Sequence, residues 1–238
     1  MSRILIVNAD DLGLSGGVNR GIARAHDEGI VTSASAMVRR DAIEEAAELA
    51  RSRPALSVGL HVDLSEWVYR DGEWAPLYEV VAGEDRAAVE AEVAAQLASF
   101  RSVFGRPPTH LDSHQHRHLE EPVRSVVVET GARLGVPVRE CTPRIQYRGD
   151  FYGQSGRGEP VPQAITVDAL LGLLGSLPDG VTELGCHPAA EAEEGSSYSS
   201  ERPLELEALC DSRVRAAVRE GGIELRSFAT LAGASPGT

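Results

Sequence analysis

The chain has no lysine: its 23 basic residues are all arginine, set against 36 aspartates and glutamates, for a formal net charge of −13. Binding a nucleic-acid backbone demands a basic footprint, so this balance argues against a nucleic-acid partner. It argues equally against attraction to an anionic membrane surface, and more weakly against phosphorylated substrates. Cysteine is also scarce. Cys141, Cys186 and Cys210 are odd in number, widely spaced and never in a CxxC pair, which fits a reduced, cytoplasmic setting. No apolar run approaches the roughly 20 residues of a membrane span. The opening MSRILIVNADD runs straight into carboxylates, without the apolar region and cleavage site of a signal peptide. With no internal repeat or break in composition, residues 1–232 are expected to form one domain, with a flexible tail over 233–238.

Apolar residues are plentiful, at 42% of the 238. A chain of this size buries most of its unfolded surface without disulfides or metal staples. Any metal site in it therefore leans catalytic rather than structural.

The apolar pattern alternates strand and helix. Residues 3–8 are a continuous apolar run, the mark of a strand buried on both faces. Ser15 is placed to cap a helix carrying Val18, Ile22 and Ala25, stopped near Gly29. Strands are expected at 30–38, 56–64, 109–113, 136–141, 182–186 and 223–228. Helices are expected from Asp41 with Glu44 as capping-box partner, over 85–104, after Pro122, over 166–177 and after Asp211. Residues 67–83, 144–163 and 189–200 read as loops, and long loops in compact domains are often functional. Strand followed by helix, repeated about seven times, predicts an α/β fold with mostly parallel strands. The leading expectation is a β/α barrel, TIM-like but distorted or seven-stranded, and an open doubly wound sheet is the alternative. Both place active sites at the C-terminal ends of the strands.

The polar residues fall at those ends. Asp10 and Asp11 close the first strand, His61 and Asp63 the third, and Asp112, His114, His116 and His118 lie at and beyond the end of the fourth. His187 follows a late strand, and of the seven histidines only His26 and His110 lie elsewhere. Taken alone, an Asp pair is as readily a helix cap, and His61 is more readily a core imidazole bonded to a backbone carbonyl. His187 with Cys186 reads as a turn beside a buried thiol. On a regular strand these two point to opposite faces, so His187 is placed in the pocket and Cys186 in its wall. His110, Asp112 and His114 share a strand face, and Asp112 is well typed to fix the tautomer of a ligating histidine. One carboxylate with two imidazoles makes a three-ligand site with open positions, the pattern of a catalytic metal. These ligand types suit Zn²⁺ without selecting it.

The motifs NADDLG (8–13), VTSASAMV (31–38), GLHVDL (59–64), HLDSHQHRH (110–118) and LGCHPA (184–189) resemble the YdjC-like carbohydrate deacetylase family, which includes chitooligosaccharide deacetylases. The closing DSRVRAAVREGGIELRSFATL is similar too. The resemblance implies a metal-dependent barrel hydrolase that removes the N-acetyl group from chitobiose-like sugars. It implies one divalent ion, Mg²⁺ or Zn²⁺, held by Asp11, His61 and His114. Asp10 would be the base that activates water, and His187 the acid that protonates the leaving amine. Asp112, His116, His118 and Asp63 would orient ligands or touch substrate. Asp63 and Ser65 stand where the family tends to Asn and Thr, and Ala189 where it often has Gly; these departures bear on sugar choice. Trp67, Tyr69, Trp74 and Tyr152 lie in loops where they could stack on a sugar ring. The alternatives are a phosphoesterase, which would want ligands for further ions, and a non-catalytic sugar-binding protein. A homodimer is expected from the base rate for such enzymes.

Overall fold

Arg3 to Leu12 forms the central strand of a computed structural model that describes residues 2–232 apart from Glu194. In chain order the elements are β1 (Arg3–Leu12), α1 (Gly16–Asp27), β2 (Ser33–Ala36), α2 (Ile43–Ser52), β3 (Ser57–Val62), β4 (Ser65–Arg70), β5 (Glu73–Glu79) and α3 (Arg86–Phe104). After them come β6 (Leu111–Ser113), α4 (Val123–Leu134), β7 (Ile145–Arg148), α5 (Val167–Gly175), β8 (Gly180–Cys186), α6 (Glu201–Cys210), α7 (Ser212–Glu220), β9 (Ile223–Leu225) and α8 (Phe228–Ala232). A 3₁₀ turn covers Pro162–Ile165, and His114–Leu119 is a kinked 3₁₀ segment with Gln115 and His116 at positive φ (49° and 55°).

Seven strands make one parallel sheet in the order β6-β3-β2-β1-β8-β7. The short β9 pairs with the start of β1, and Val138 extends the far edge by a single parallel bridge to Leu111. The sheet must curl. Val138 lies five strand positions from β8, about 24 Å if the sheet were flat. Yet the next residue, Arg139, places Nε 2.7 Å from Glu183 Oε1 on β8. The result is the expected barrel-like β/α fold with parallel strands, and it is the curl that brings distant strand ends together.

Side-chain parity separates two environments. Leu5, Val7, Ala9, Ala34, Ala36, Val58, Leu60, Val62, Leu111, Leu184 and Cys186 belong to the apolar core. The alternate positions, Asn8, Asp10, Ser33, Ser35, Ser57, His61, Asp112 and Glu183, are buried and polar, and line the inside of the curl. At the start of the strands, the backbone N–H groups of Phe228 and Ala229 donate to Ser33 and Ser57. There the Phe228 ring stacks on His110 with centroids 3.9 Å apart.

Several expectations are corrected. Residues 67–83 are not a loop; β4 and β5 form an antiparallel hairpin closed by Asp71 and Gly72, both at positive φ (53° and 89°). Turns of that kind match strand twist, and an Asp-Gly between aromatic runs was the signal for one. The 144–163 segment contains β7, paired to β8. The strand expected at 136–141 reduces to the bridge at Val138. The helix α2 begins at Ile43 with no side-chain cap, so the Asp41–Glu44 capping box does not form. The strand expected over 223–228 ends at Leu225, and α6 arises where no element was expected. The expected tail at 233–238 lies outside the described residues. Among the described residues, no helix is long and apolar enough to cross a membrane.

Gly59 leaves room for the His110 ring, since a Cβ there would sit 2.5 Å from its Cε1 and Nε2. Overpacking of this kind costs about 1–3 kcal/mol. Gly59→Ala is therefore expected to lower the unfolding free energy from urea titration by that much, whereas an unchanged value would mean that the His110–Phe228 stack gives way freely.

Candidate metal and active site

Adjacent strand residues normally point to opposite faces, so Asp10 and Asp11 need a device to share one pocket. The β1–β2 register supplies it. Ala9 pairs with Ala34 but Leu12 with Ala36, so β1 carries an extra residue. Asp11 itself takes φ +69°, a conformation that Asp tolerates better than most residues. Such bulges re-aim side chains. Gly13 N–H donates to Asn19 Oδ1 at 2.8 Å and fixes the turn that follows.

The re-aimed Asp11 Oδ1 lies 3.4 Å from His61 Nε2, at the end of β3, and 3.3 Å from His114 Nδ1, just past β6. One ligand atom from each of Asp11, His61 and His114 lies within 4.8 Å of the others. Each histidine has a carboxylate on its far side. His61 Nδ1 pairs with Asp112 Oδ1 at 2.8 Å, and His114 Nε2 faces Glu66 Oε2 at 3.6 Å. Asp11 Oδ2 accepts from Arg202 at 2.7 Å, which leaves its Oδ1 buried without a donor.

Asp10 is held differently. Arg139 grips both its oxygens, Oδ2 at 2.6 Å and Oδ1 at 2.7 Å, and Asn8 donates to Oδ1 at 2.8 Å. The remaining face of Oδ2 looks towards His187 Nε2 at 3.8 Å. On the other side of that ring, Nδ1 lies 3.8 Å from Glu205 Oε1, and the His187 backbone N–H donates to Glu205 Oε2. Tyr152 packs edge-on to the His187 ring at 5.3 Å and stacks on Tyr198 at 4.4 Å.

The charge states follow from these contacts. Burial opposes ionisation of Asp11, yet Arg202 and the two facing histidines hold its carboxyl well below the usual range. Burial likewise opposes charge on Asp10, and Arg139 overcomes it, so this carboxyl is also lowered. Burial disfavours protonated His61, but Asp112, Asp10 and Asp11 push its imidazole up to about 10. His114 rises to about 9 against the same penalty, through Asp11 and Glu66. Two protons thus sit beside an orphaned, ionised carboxylate oxygen. Neutral imidazole nitrogens and a carboxylate are what a divalent cation takes as ligands, so these residues fit one.

The other residues singled out in the sequence have separate settings. Asp112 lies at the centre of the pocket wall, bonded to His61, Ser35 (2.6 Å) and Arg139 (2.9 Å). His116 lies at the rim, against Tyr147 and 3.2 Å from Glu140. His118 is fully buried, its Nδ1 2.7 Å from Ser113 Oγ; burial pushes both His116 and His118 down to about 4. Asp63 lies under the hairpin, bound by Tyr78 (2.6 Å) and Arg40 (3.0 Å). Cys186 sits in the wall, its thiol towards the Asn8 carbonyl. Sequence reasoning missed Arg139, Arg202, Glu205 and Glu66. Nothing local distinguishes two arginines among 23; Glu66, five residues past His61, was within reach.

Fold and site together define a barrel-like β/α protein with a carboxylate–imidazole cluster at its strand ends. The chain belongs to the YdjC-like protein family, whose model matches residues 4–220. It is 37% identical to a carbohydrate deacetylase from Geobacillus stearothermophilus, over 96% of this chain and 98% of that one. It is 34% identical to a chitooligosaccharide deacetylase from Salmonella paratyphi B, over 96% and 99%. Among solved structures it resembles a putative cellobiose-phosphate cleavage protein from Enterococcus faecalis, with TM-score 0.78 and 27% identity, covering 97% of this chain and 99% of that one.

A cation entering this cluster must displace the protons of His61 and His114, held up to about 10 and about 9. Because both values are raised, those protons stay bound at neutral pH, and affinity is expected to strengthen as pH rises towards 9. Titration calorimetry at pH 7 in buffers of different ionisation enthalpy should record proton release on metal binding. Binding without proton release would contradict the assignment of both imidazoles.

Proposed function

We propose that the protein is a metal-dependent carbohydrate deacetylase that hydrolyses the N-acetyl amide of an acetylated amino sugar or short, chitobiose-like oligosaccharide. The observation that carries this reading is the pairing of Asp10 Oδ2 with His187 Nε2 beside the Asp11–His61–His114 cluster. The family and the two named relatives support it. One divalent ion, Mg²⁺ or Zn²⁺, held by those three residues would polarise the acetyl carbonyl and make water more acidic.

The chain's own groups then divide the proton traffic. A carboxylate has about four lone-pair sites, and three on Asp10 are filled by Asn8 and Arg139. The one left on Oδ2 is the base that takes a proton as the water oxygen bonds to the acetyl carbon. His187 Nε2 gives a proton to the amide nitrogen as its bond to that carbon breaks, releasing acetate and the free amine. Glu205 keeps the His187 ring turned towards the pocket, and Tyr152 with Tyr198 walls it from one side. Arg139 holds Asp10 ionised and aimed.

A phosphoesterase using further ions is disfavoured. Asp63, His116 and His118 do not converge on the cluster, and the second carboxylate group, Asp10–His61–Asp112, is already neutralised by Arg139.

The test is acetate release from N,N′-diacetylchitobiose and other N-acetyl sugars by protein loaded with Mg²⁺ or Zn²⁺. Asp10→Asn and His187→Ala should each lower kcat about 10²- to 10⁴-fold while metal stays bound, and His114→Ala should lose the metal. Stoichiometric metal with no acetate from any sugar would defeat this reading.

A further inference from the structure

The two histidines of the cluster each face an outer carboxylate supplied by another element. His61, on β3, is paired by Asp112 from β6 at 2.8 Å. His114, just past β6, faces Glu66 on β4, five residues beyond His61. Of these two carboxylates, Glu66 is the one that sits on the β4–β5 hairpin rather than in the barrel.

Its position is tightly determined. The β4–β5 register shifts opposite it, since Glu66 pairs with Tyr78 but Trp67 with Pro76, which leaves Leu77 as the extra residue of a bulge on β5. The Gln115 amide clamps the Trp67 backbone, accepting from its N–H and donating to its C=O, both at 2.8 Å. Gln115 is the residue after His114. Beneath the hairpin, Tyr78 and Arg40 both bind Asp63. Ser197 donates to Glu66 Oε1 at 3.5 Å, which leaves Oε2 for His114. The side chains of Glu66 and His114 are only 14% and 15% exposed, so water does not readily replace the contact. At 3.6 Å the pair is a small rotamer adjustment short of a charge-assisted hydrogen bond of about 2.8 Å.

We propose that Glu66 is the positioning carboxylate of His114. By accepting the Nε2–H it fixes the tautomer that leaves Nδ1 free towards Asp11, as Asp112 does for His61. This rests on the reading of Asp11, His61 and His114 as a metal-holding set. It makes the β4–β5 hairpin part of the centre rather than a surface decoration.

The test measures Zn²⁺ affinity of the full chain, by competition with a chelating dye, for wild type, Glu66→Ala and Glu66→Gln. Outer-sphere partners of this kind are worth about 10- to 100-fold in metal affinity. Glu66→Ala should lose that much, and Glu66→Gln, whose amide oxygen can accept the same N–H, should recover part of it. Long-range ¹⁵N–¹H spectra of the Zn²⁺-loaded protein should show the His114 Nε2–H as a downfield, slowly exchanging proton in wild type and as a fast-exchanging one in Glu66→Ala. Melting curves of the metal-free proteins report whether the fold is intact, and the isosteric Glu66→Gln keeps the comparison if Glu66→Ala does not fold. Unchanged affinity and Nε2–H exchange in the variants would overturn the role of Glu66 alone. A wild type that binds no Zn²⁺ would overturn the ligand set itself, and Glu66 with it.

Discussion

The buried guanidinium of Arg139 is the interaction on which the rest of the interior depends. Its side chain is fully buried and touches three carboxylates from three places in the chain: Asp10 on β1, Asp112 on β6 and Glu183 on β8. Burying one unpaired carboxylate costs several kcal/mol, and a barrel with three on its inner wall would not close. Arginine can offset all three because it presents five N–H donors in a rigid planar fork, whereas lysine presents one compact charge. Burial still leaves its mark. Glu183, which meets Arg139 only through Nε, is pushed up to about 7 by burial, while Asp10, gripped by Arg139 on both oxygens, and Asp112, which also faces His61, are lowered.

That residue also helps to separate the settings of the two adjacent aspartates. Asp10 is fixed by Arg139 with one lone-pair direction left, a geometry suited to collecting a proton. Asp11 is tied on one oxygen by Arg202, with the other left bare between two imidazoles. The same residue type is given two settings by two arginines and one β-bulge. Asp112 links the halves, since it accepts from both His61 and Arg139 and thereby couples the cluster to the carboxylate wall.

Much of this was legible in the order of residues. The alternating apolar runs announced parallel strands separated by helices, and the clustering of Asp and His at run ends announced a site at one end of a curled sheet. The ADD and HLDSHQH segments lie on strand ends, as their position after apolar runs implied. Less was legible where a local pattern has several solutions. The hairpin at Asp71-Gly72 was passed over because its strands are mostly exposed and their apolar alternation is broken. The segment at 136–141 had the composition of a strand but contributes one bridge, because the chain turns after Arg139 to bury its side chain.

By itself, the sequence determined the period and polarity of each element, and therefore which residues gather at the strand ends. Those are local properties, set by backbone geometry and by the transfer of apolar side chains from water. Only the tertiary structure decided which two of 23 arginines become the counter-ions of Asp10 and Asp11, that Glu66 meets His114, and that adjacent aspartates share one pocket. Each of these joins residues distant in the chain or re-aims a side chain by a register shift, and it is fixed only once the sheet has curled and every buried charge has found its partner.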